Sequence, residues 1–596
     1  MSRKKRKKVK AKNRHAKNNV IKVQALFIQA TGYHQKGQYE QAEQCYRQVL
    51  AIAPKHADSL HLLGLILADR GLFTQGLNLI NQAIDCNPKF AAYYLNRGLI
   101  YKRLNQLNQA IEDYQQTIRI EPRMIEAYCN LGDALLEQQQ VDNAIVAYQN
   151  ALKLNSRHRN ACHNLGNAYL EKENYQQALA CYQNALAIHE CPETLSNIGV
   201  ALVGLNRIEE AITYHRKAIQ ADPNFSKAYS NLGLALSQIN QLAEAEDYYH
   251  KALAIEPENA EFYSNLGVNY KDQGKVDEAL NCFKKSLDID PNSSKAQFNE
   301  AISLLIKGDF NNGWQKYESR FGLKERLHTD HHFNQPVWQG ENFSNKTLFV
   351  YVEQGLGDTI QFMRYLPQVV ERGGQVIFEC QLELIPLLEE QRHLKIDQII
   401  ARGSPPPYFD YHVAIMSLPR IFNTTLESIP SKRAYIVPPK KNLDCVPKND
   451  RKKVGLVWAG GKQHKNDRNR SIPLSYLESL FASKYVNFYS LQYECYDEIQ
   501  KYNNAFDLSA YISDFSDTAA IINELDLVIS VDTSVAHLSG AMGKPTWILL
   551  PFAPDFRWLL DREDNPWYDS VRLFRQPDIG DWKSVIGRIN DELMTN

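Results

Sequence analysis

A chain of 596 residues exceeds what one hydrophobic core supports, so several domains are expected. Its composition is globular, 44% hydrophobic and 10% aromatic, and a formal net charge of zero hides an asymmetry. Residues 1–19 hold ten Lys/Arg and no acid, leaving 58 basic against 68 acidic residues, a net of −10, in the remainder. The basic start reads as a disordered, solvated tail over residues 1–20. Contact with RNA, ribosome or anionic lipid is the sharper alternative, although no aromatic residue is interleaved for base stacking. No apolar run reaches the roughly 18 residues that span a bilayer. IKVQALFIQATGY is broken by Lys22, Gln24 and Gln29, which argues against a secretory signal. The ten cysteines are scattered with no CxxC pair, which fits reduced thiols and a cytoplasmic chain rather than a disulfide frame or zinc site.

The first half repeats. Gly64, Gly98, Gly132, Gly166, Gly199, Gly233 and Gly267 recur at 34 residues, once at 33. Twelve residues after each comes a small residue: Gly76, Ala110, Ala144, Ala178, Ala211, Ala245 and Ala279. A ring usually follows four later, as Tyr114, Tyr148, Tyr182, Tyr249 and Phe283, and a proline closes most units. That pattern predicts helix pairs: small residues let two helices approach, the ring fills the gap, and Pro stops the second helix. The spacing resembles the tetratricopeptide repeat, in eight units and a partial ninth, AISLLIKGDFNNGWQKYESRF, within residues 21–322. Such repeats stack into a superhelix with a concave groove.

Two residues before the markers stands a column of Asn96, Asn130, Asn164, Asn197, Asn231, Asn265 and Asn299, with Ile28 and Leu62 in the first two units. A carboxamide is both donor and acceptor, so a column of them suits an extended polypeptide of any sequence. The arrangement resembles the asparagine ladder of O-GlcNAc transferases, which implies a protein or peptide in the groove. Asn is also common there in ordinary repeats, and both readings stand.

After Trp338 the period changes to strand–helix alternation. TLFVYVE, QVIFEC and YHVAI form one series of strands; VGLVWAG, VNFYSLQ, LDLVISVD, TWILLP and VRLFR form a second. This predicts an α/β half with two doubly wound, Rossmann-like lobes at residues 346–440 and 453–596, after linkers at 323–345 and 441–452. Ligands then sit at the C-terminal strand ends.

Three loops lie there. VEQGLGDTIQF places Gly355 and Gly357 where a ligand can approach the backbone, with Asp358 opening a helix; Asp358 is an N-cap or a functional acid. It lacks the Lys-Ser/Thr of a P-loop. WAGGKQHKNDRNRSIPL carries Gly460 and the basic Lys462, His464, Lys465, Arg468 and Arg470 before a helix expected near Pro473, which suits a diphosphate. VDTSVAHLSGAMGKP ends a strand at Asp532, offers Thr533 or Ser534 as a helix cap, and sets His537 in the first turn. No DxD metal motif occurs in this half, and no metal is expected.

Together, GLGD at 355–358, the basic loop ending in Arg470-Ser471-Ile472-Pro473, and DTSVAHL at 532–538 resemble the bacterial heptosyltransferases over roughly residues 345–590. That family is inverting and metal-independent, with two Rossmann lobes. The resemblance implies Asp358 as general base, Arg470 as a contact for the donor phosphate, and Asp532, Thr533 and His537 as holders of the sugar nucleotide. Ser534 stands where the family has Gly, and the second loop is enlarged. The tail PFAPDFRWLLDREDNPWYDSVRLFRQ is similar to uncharacterised bacterial repeat-plus-transferase proteins, which implies Arg557 and Trp558 near the donor. The expectation is a hexosyl- or heptosyltransferase acting on a repeat-bound acceptor. A non-catalytic scaffold and an envelope-glycan transferase are the alternatives.

Overall fold

The computed structural model describes residues 3–323, 333–430, 433–441, 443, 446, 450–462, 466–492 and 499–595. They form two compact units, Met1–Ala235 and Leu236–Asn596.

The first unit is a run of antiparallel helix pairs, beginning Arg3–Gln35 with Tyr39–Ile52 and Ala57–Asp69 with Phe73–Cys86. Its register follows from sixteen-residue spacings. Gly98 faces Tyr114, Gly132 faces Tyr148 and Gly166 faces Tyr182 across each pair. A Cβ on Gly132 or Gly166 would stand 2.5 Å from a ring carbon, so a larger residue cannot fit without moving the ring. His215 takes the ring's place against Gly199. Ala110, Ala144, Ala178 and Ala211 are fully buried where the two helices touch.

The first helix, Arg3–Gln35, includes the basic stretch for which a solvated tail was expected. Lys and Arg are good helix formers, neither Gly nor Pro interrupts the basic stretch, and the repeat helix beyond supplies the nucleus.

The second unit opens with the last repeats. Ala260–Asp272 pairs with Val276–Ile289, and Ser294–Lys307 with Phe310–Tyr317. Two parallel sheets with helices follow. The first sheet has the order β3-β2-β1-β4, from β1 (Thr347–Tyr351), β2 (Gln375–Cys380), β3 (Gln398–Ala401) and β4 (Tyr411–Ala414). The second has the order β10-β9-β8-β5-β6-β7, from β5 (Lys452–Val457), β6 (Val486–Ser490), β7 (Ala505–Asp507), β8 (Leu527–Val531), β9 (Thr546–Leu550) and β10 (Val571–Arg575). β3 and β7 were not among the expected strands; both are edges of three or four residues. IPLSYLESLF, expected as helix, forms two short 3₁₀ turns.

The ninth repeat is an anchor as much as a repeat. Trp314 sits among Phe310, Tyr317, Phe362, Phe556 and Trp567, with ring centroids 5.5–6.4 Å apart. One core therefore runs from Ala301, Leu305 and Trp314 into Leu348, Val350, Leu538 and Leu573. The expected linker 323–345 is also stitched down where it is described. Trp338 is fully buried, and its amide donates to the His412 carbonyl on β4 at 2.8 Å. Packing within this unit therefore joins the last repeats to the sheets.

Candidate functional site

The site is built from loops at the C-terminal ends of β1, β5, β8 and β9. The first follows β1. The helix begins at Leu356, so Asp358 is its third residue rather than its opening one. From there Asp358 Oδ2 accepts the Gly355 amide at 2.9 Å, the act of a first-turn carboxylate. Its other oxygen, Oδ1, pairs with Arg557. Burial pushes the Asp358 carboxyl up, against the pull of Arg557 and the Gly355 amide. Gly355 is open: a Cβ there would meet only Asp358, at 3.5 Å. Gly357 is closed: a Cβ there would stand 2.8 Å from the His537 ring. The missing side chain of Gly357 thus lets the first and third loops pack closely.

The second loop follows β5. Gly460 leaves the space that the Arg470 guanidinium occupies, and its amide donates to Ser471 Oγ at 2.9 Å. Arg470 is the last residue of a one-turn helix, Asp467–Arg470, where the sequence suggested a helix near Pro473. Its Nη1 donates to the Asp532 carbonyl at 2.9 Å, which ties the second loop to the third. Lys465 and His464 lie outside the described residues.

The third loop follows β8. Thr533 is the N-cap residue, but its hydroxyl bonds Ser530 Oγ at 3.0 Å instead of capping, and Ser534 is the first helical residue. No side chain caps this helix start. His537 is 4% exposed, stacked on Trp558 with centroids 5.2 Å apart. Its Nδ1 is 3.0 Å from the Tyr568 hydroxyl, and its Nε2 is 3.9 Å from Asp532 Oδ1. Burial, with Arg557 and Arg364 nearby, holds the imidazole well below its usual pKa, so it is neutral at pH 7. Asp532 moves the other way. Burial and then Asp555 push its carboxyl up to about 6, against Trp558, Arg557 and Arg470.

The fourth loop, after β9, was noted in the sequence only through Arg557 and Trp558. Arg557 joins both sheets' loops: it pairs with Asp358, donates to Gln361 Oε1 at 2.7 Å, and pairs with Asp555 at 2.6 Å. Asp555, Gln361, Tyr568 and Arg364 were missed, because nothing in their local sequence announces partners 196 or 203 residues away. Arg364 is a buried cation among rings. It donates to the Trp567 carbonyl at 2.7 Å and lies over Tyr435 and Tyr568. Behind the first loop, fully buried Arg320 from the end of the last repeat pairs with Glu353 at 2.8 Å. A repeat-derived cation thus fixes the residue just ahead of Gln354-Gly355. Among the described residues, no group of three or more His, Cys, Asp or Glu is arranged to hold a metal ion.

The site residues therefore converge: Asp358 and Arg557 directly, Arg470 through the Asp532 backbone, and His537 against Gly357. Chemically, the cluster offers arginines and an uncapped helix start for an anion, and a carboxylate with raised proton affinity.

The asparagine column is half-buried throughout. In four rungs the amide nitrogen reaches the preceding repeat. Asn96 meets His61 at 2.9 Å, Asn164 meets Asp133 at 2.8 Å, Asn197 meets Asn167 at 3.1 Å and Asn231 meets Ser196 at 3.1 Å. These rungs are inter-repeat struts in addition to whatever the groove takes.

Comparison with known proteins identifies tetratricopeptide repeats. The description "Cilia and flagella-associated protein 70 C-terminal domain" matches residues 113–320, and tetratricopeptide-repeat descriptions match 91–124 and 32–71. Protein FlbA of Caulobacter vibrioides is 29% identical over 326 residues, covering 49% of this chain. The chain spans 54% of that relative's length. Among solved structures, YrrB, "a TPR protein with an unusual peptide-binding site", is 26% identical over 31% of this chain and 96% of its own, with a TM-score of 0.25. PilF of Pseudomonas aeruginosa is 20% identical over 35% of this chain and 96% of its own, with a TM-score of 0.31.

Proposed function

We propose that this tetratricopeptide-repeat protein holds a protein or peptide partner in its groove and that its α/β half transfers a sugar to that partner from a nucleotide-sugar donor. The repeats support the first part. The second part rests on one observation: Asp358, Arg470, Asp532, His537 and Arg557 gather at the C-terminal ends of strands from two parallel sheets. In this reading Asp358 takes the proton of an acceptor hydroxyl as that oxygen attacks the donor sugar with inversion. Arg470 and the amides at Ser534 take the charge of the departing nucleoside diphosphate. Neutral His537 donates or accepts a hydrogen bond without adding charge.

The chemistry as proposed requires no divalent ion, so EDTA should leave turnover unchanged. The test is to incubate the purified chain with a panel of radiolabelled nucleotide sugars and a captured partner protein, with Arg470→Ala in parallel. Label moved to the partner and lost in the variant supports the reading. Label moved only to a lipid or glycan acceptor points to an envelope-glycan transferase.

A second reading, a repeat scaffold whose α/β half does not turn over, is favoured by a specific observation. Asp358 is occupied by Arg557, and the matches to known families lie in the repeats. Nucleotide binding without label transfer to any acceptor would select it.

A further inference from the structure

Arg557 and Asp358 pair across the two sheets' loops at the centre of the site, and this contact carries the inference, which rests on the transferase reading. All three Arg557 nitrogens are engaged: Nε donates to Gln361, Nη1 to Asp555 and Nη2 to Asp358, and the residue is only 7% exposed. Both Asp358 oxygens are thereby engaged, Oδ1 by Arg557 and Oδ2 by the Gly355 amide, and an anion that reaches Arg557 competes with Asp358 for it. Beside it, Gln361 gives its carbonyl oxygen to Arg557, while its Nε2 is buried with no acceptor, on a residue with no exposed surface. An orphaned buried donor of this kind is costly, because its lost hydration is not repaid by any partner. A phosphate oxygen entering between Arg557 and Asp358 would satisfy it.

We propose that the Asp358–Arg557 pair is a latch opened by the donor's diphosphate. The entering anion takes over Arg557 and the Gln361 amide, and so releases Asp358 as a free carboxylate at the moment the sugar arrives. The base is masked while the site lacks donor and is unmasked by the same anion that delivers the sugar. The latch spans both halves of the site: Asp358 and Gln361 come from the helix after β1, and Arg557 and Asp555 from the loop after β9. Opening it therefore separates those two loops.

Inorganic pyrophosphate is the probe, titrated calorimetrically into the full chain. Asp358→Asn removes the competitor for Arg557 and should tighten pyrophosphate at least about fivefold, whereas Arg557→Gln should weaken it about tenfold or more. In the double variant the gain from Asp358→Asn should vanish, because it acts only through Arg557. A gain that persists in the Arg557→Gln background reflects general loss of negative charge and overturns the latch. Asp564→Asn is the control that does not depend on the Arg557 variant folding. It removes an exposed carboxylate that pairs with Arg562 instead of Arg557, and should change affinity less than twofold. A gain equal to that of Asp358→Asn overturns the latch as well. Binding that is lost in Arg470→Ala but shows no Asp358→Asn gain removes the latch and leaves the anion site standing. No binding to the wild type or any variant removes both.

Discussion

In the unit Met1–Ala235 the contacts that fix the fold join residues one helix pair apart, as Gly132 to Tyr148. In the unit Leu236–Asn596 the contacts that fix the site join residues far apart: Arg470 to Asp532 across 62 residues, and Arg557 to Asp358 across 199. The first kind is apolar, repeated and additive, so each pair contributes its own share. The second kind is polar, unique and interdependent, because removing one partner strands another in a buried place. A solenoid built the first way tolerates change in any one unit. A site built the second way does not.

The seven tryptophans, Trp314 to Trp582, all fall in the second unit, so their fluorescence reads that unit alone while far-UV circular dichroism reads helices of both. The largest expected effect follows from the buried ion pair. Arg320→Met removes the cation paired with Glu353, whose side chain is fully buried, and should cost about 3–5 kcal/mol in urea unfolding followed by tryptophan fluorescence. A cost under about 1 kcal/mol would mean that this polar contact is as dispensable as a surface pair.

Next comes the packing of a repeat. Gly132→Ala drives a methyl into the Tyr148 ring and should cost about 1–3 kcal/mol. The loss should appear in circular dichroism and leave the tryptophan transition in place. A shift of the tryptophan transition instead would show that the two kinds of contact are not confined to their own units.

Asp532 gives a pH test. Its folded-state carboxyl is raised to about 6 by burial, so the folded chain holds a proton that the unfolded chain has already released. The penalty for ionising it is therefore fully present above pH 6 and fades as pH falls toward the unfolded value. Asp532→Asn should stabilise the second unit by about 1–3 kcal/mol at pH 7.5, and by less at pH 4.5. Equal gains at both values would contradict the buried-carboxylate account.

The smallest effect is a single rung. Asn231→Ala loses the bond to Ser196 and should cost about 0.5–1.5 kcal/mol by circular dichroism. Unchanged stability with weaker partner binding would assign that residue to the groove alone.

The same contrast explains what the sequence made legible. In the solenoid, spacing is itself the contact map, so markers and rings sixteen residues apart could be paired on paper. Over the basic start, charge suggested a solvated tail, whereas the absence of Gly and Pro permits the helix Arg3–Gln35. In the α/β half, β-rich runs revealed eight of ten strands, and the loops after β1, β5 and β8 could be named, because strand ends are where glycine and polar clusters gather. Their pairings could not. Nothing around PFAPDFRW says that Arg557 meets Asp358, or that Asp555 shares it. Nor does the glycine loop say that Gly357 makes room for the His537 ring. The ninth repeat read as a fading unit, and its Trp314 proved to be the contact that joins the last repeats to the sheets.

The central claim is that this convergent site performs transfer with Asp358 as its base. Asp358→Asn keeps the size of the side chain and an oxygen for the Gly355 amide, so the fold should hold. The decisive measurement is sugar transfer to the bound partner by wild type and Asp358→Asn, with donor affinity measured alongside. The account predicts a fall in turnover of about 10²–10⁴ with donor affinity kept or increased. Turnover close to wild type in the Asn variant, or none in the wild type with any nucleotide sugar, would contradict it.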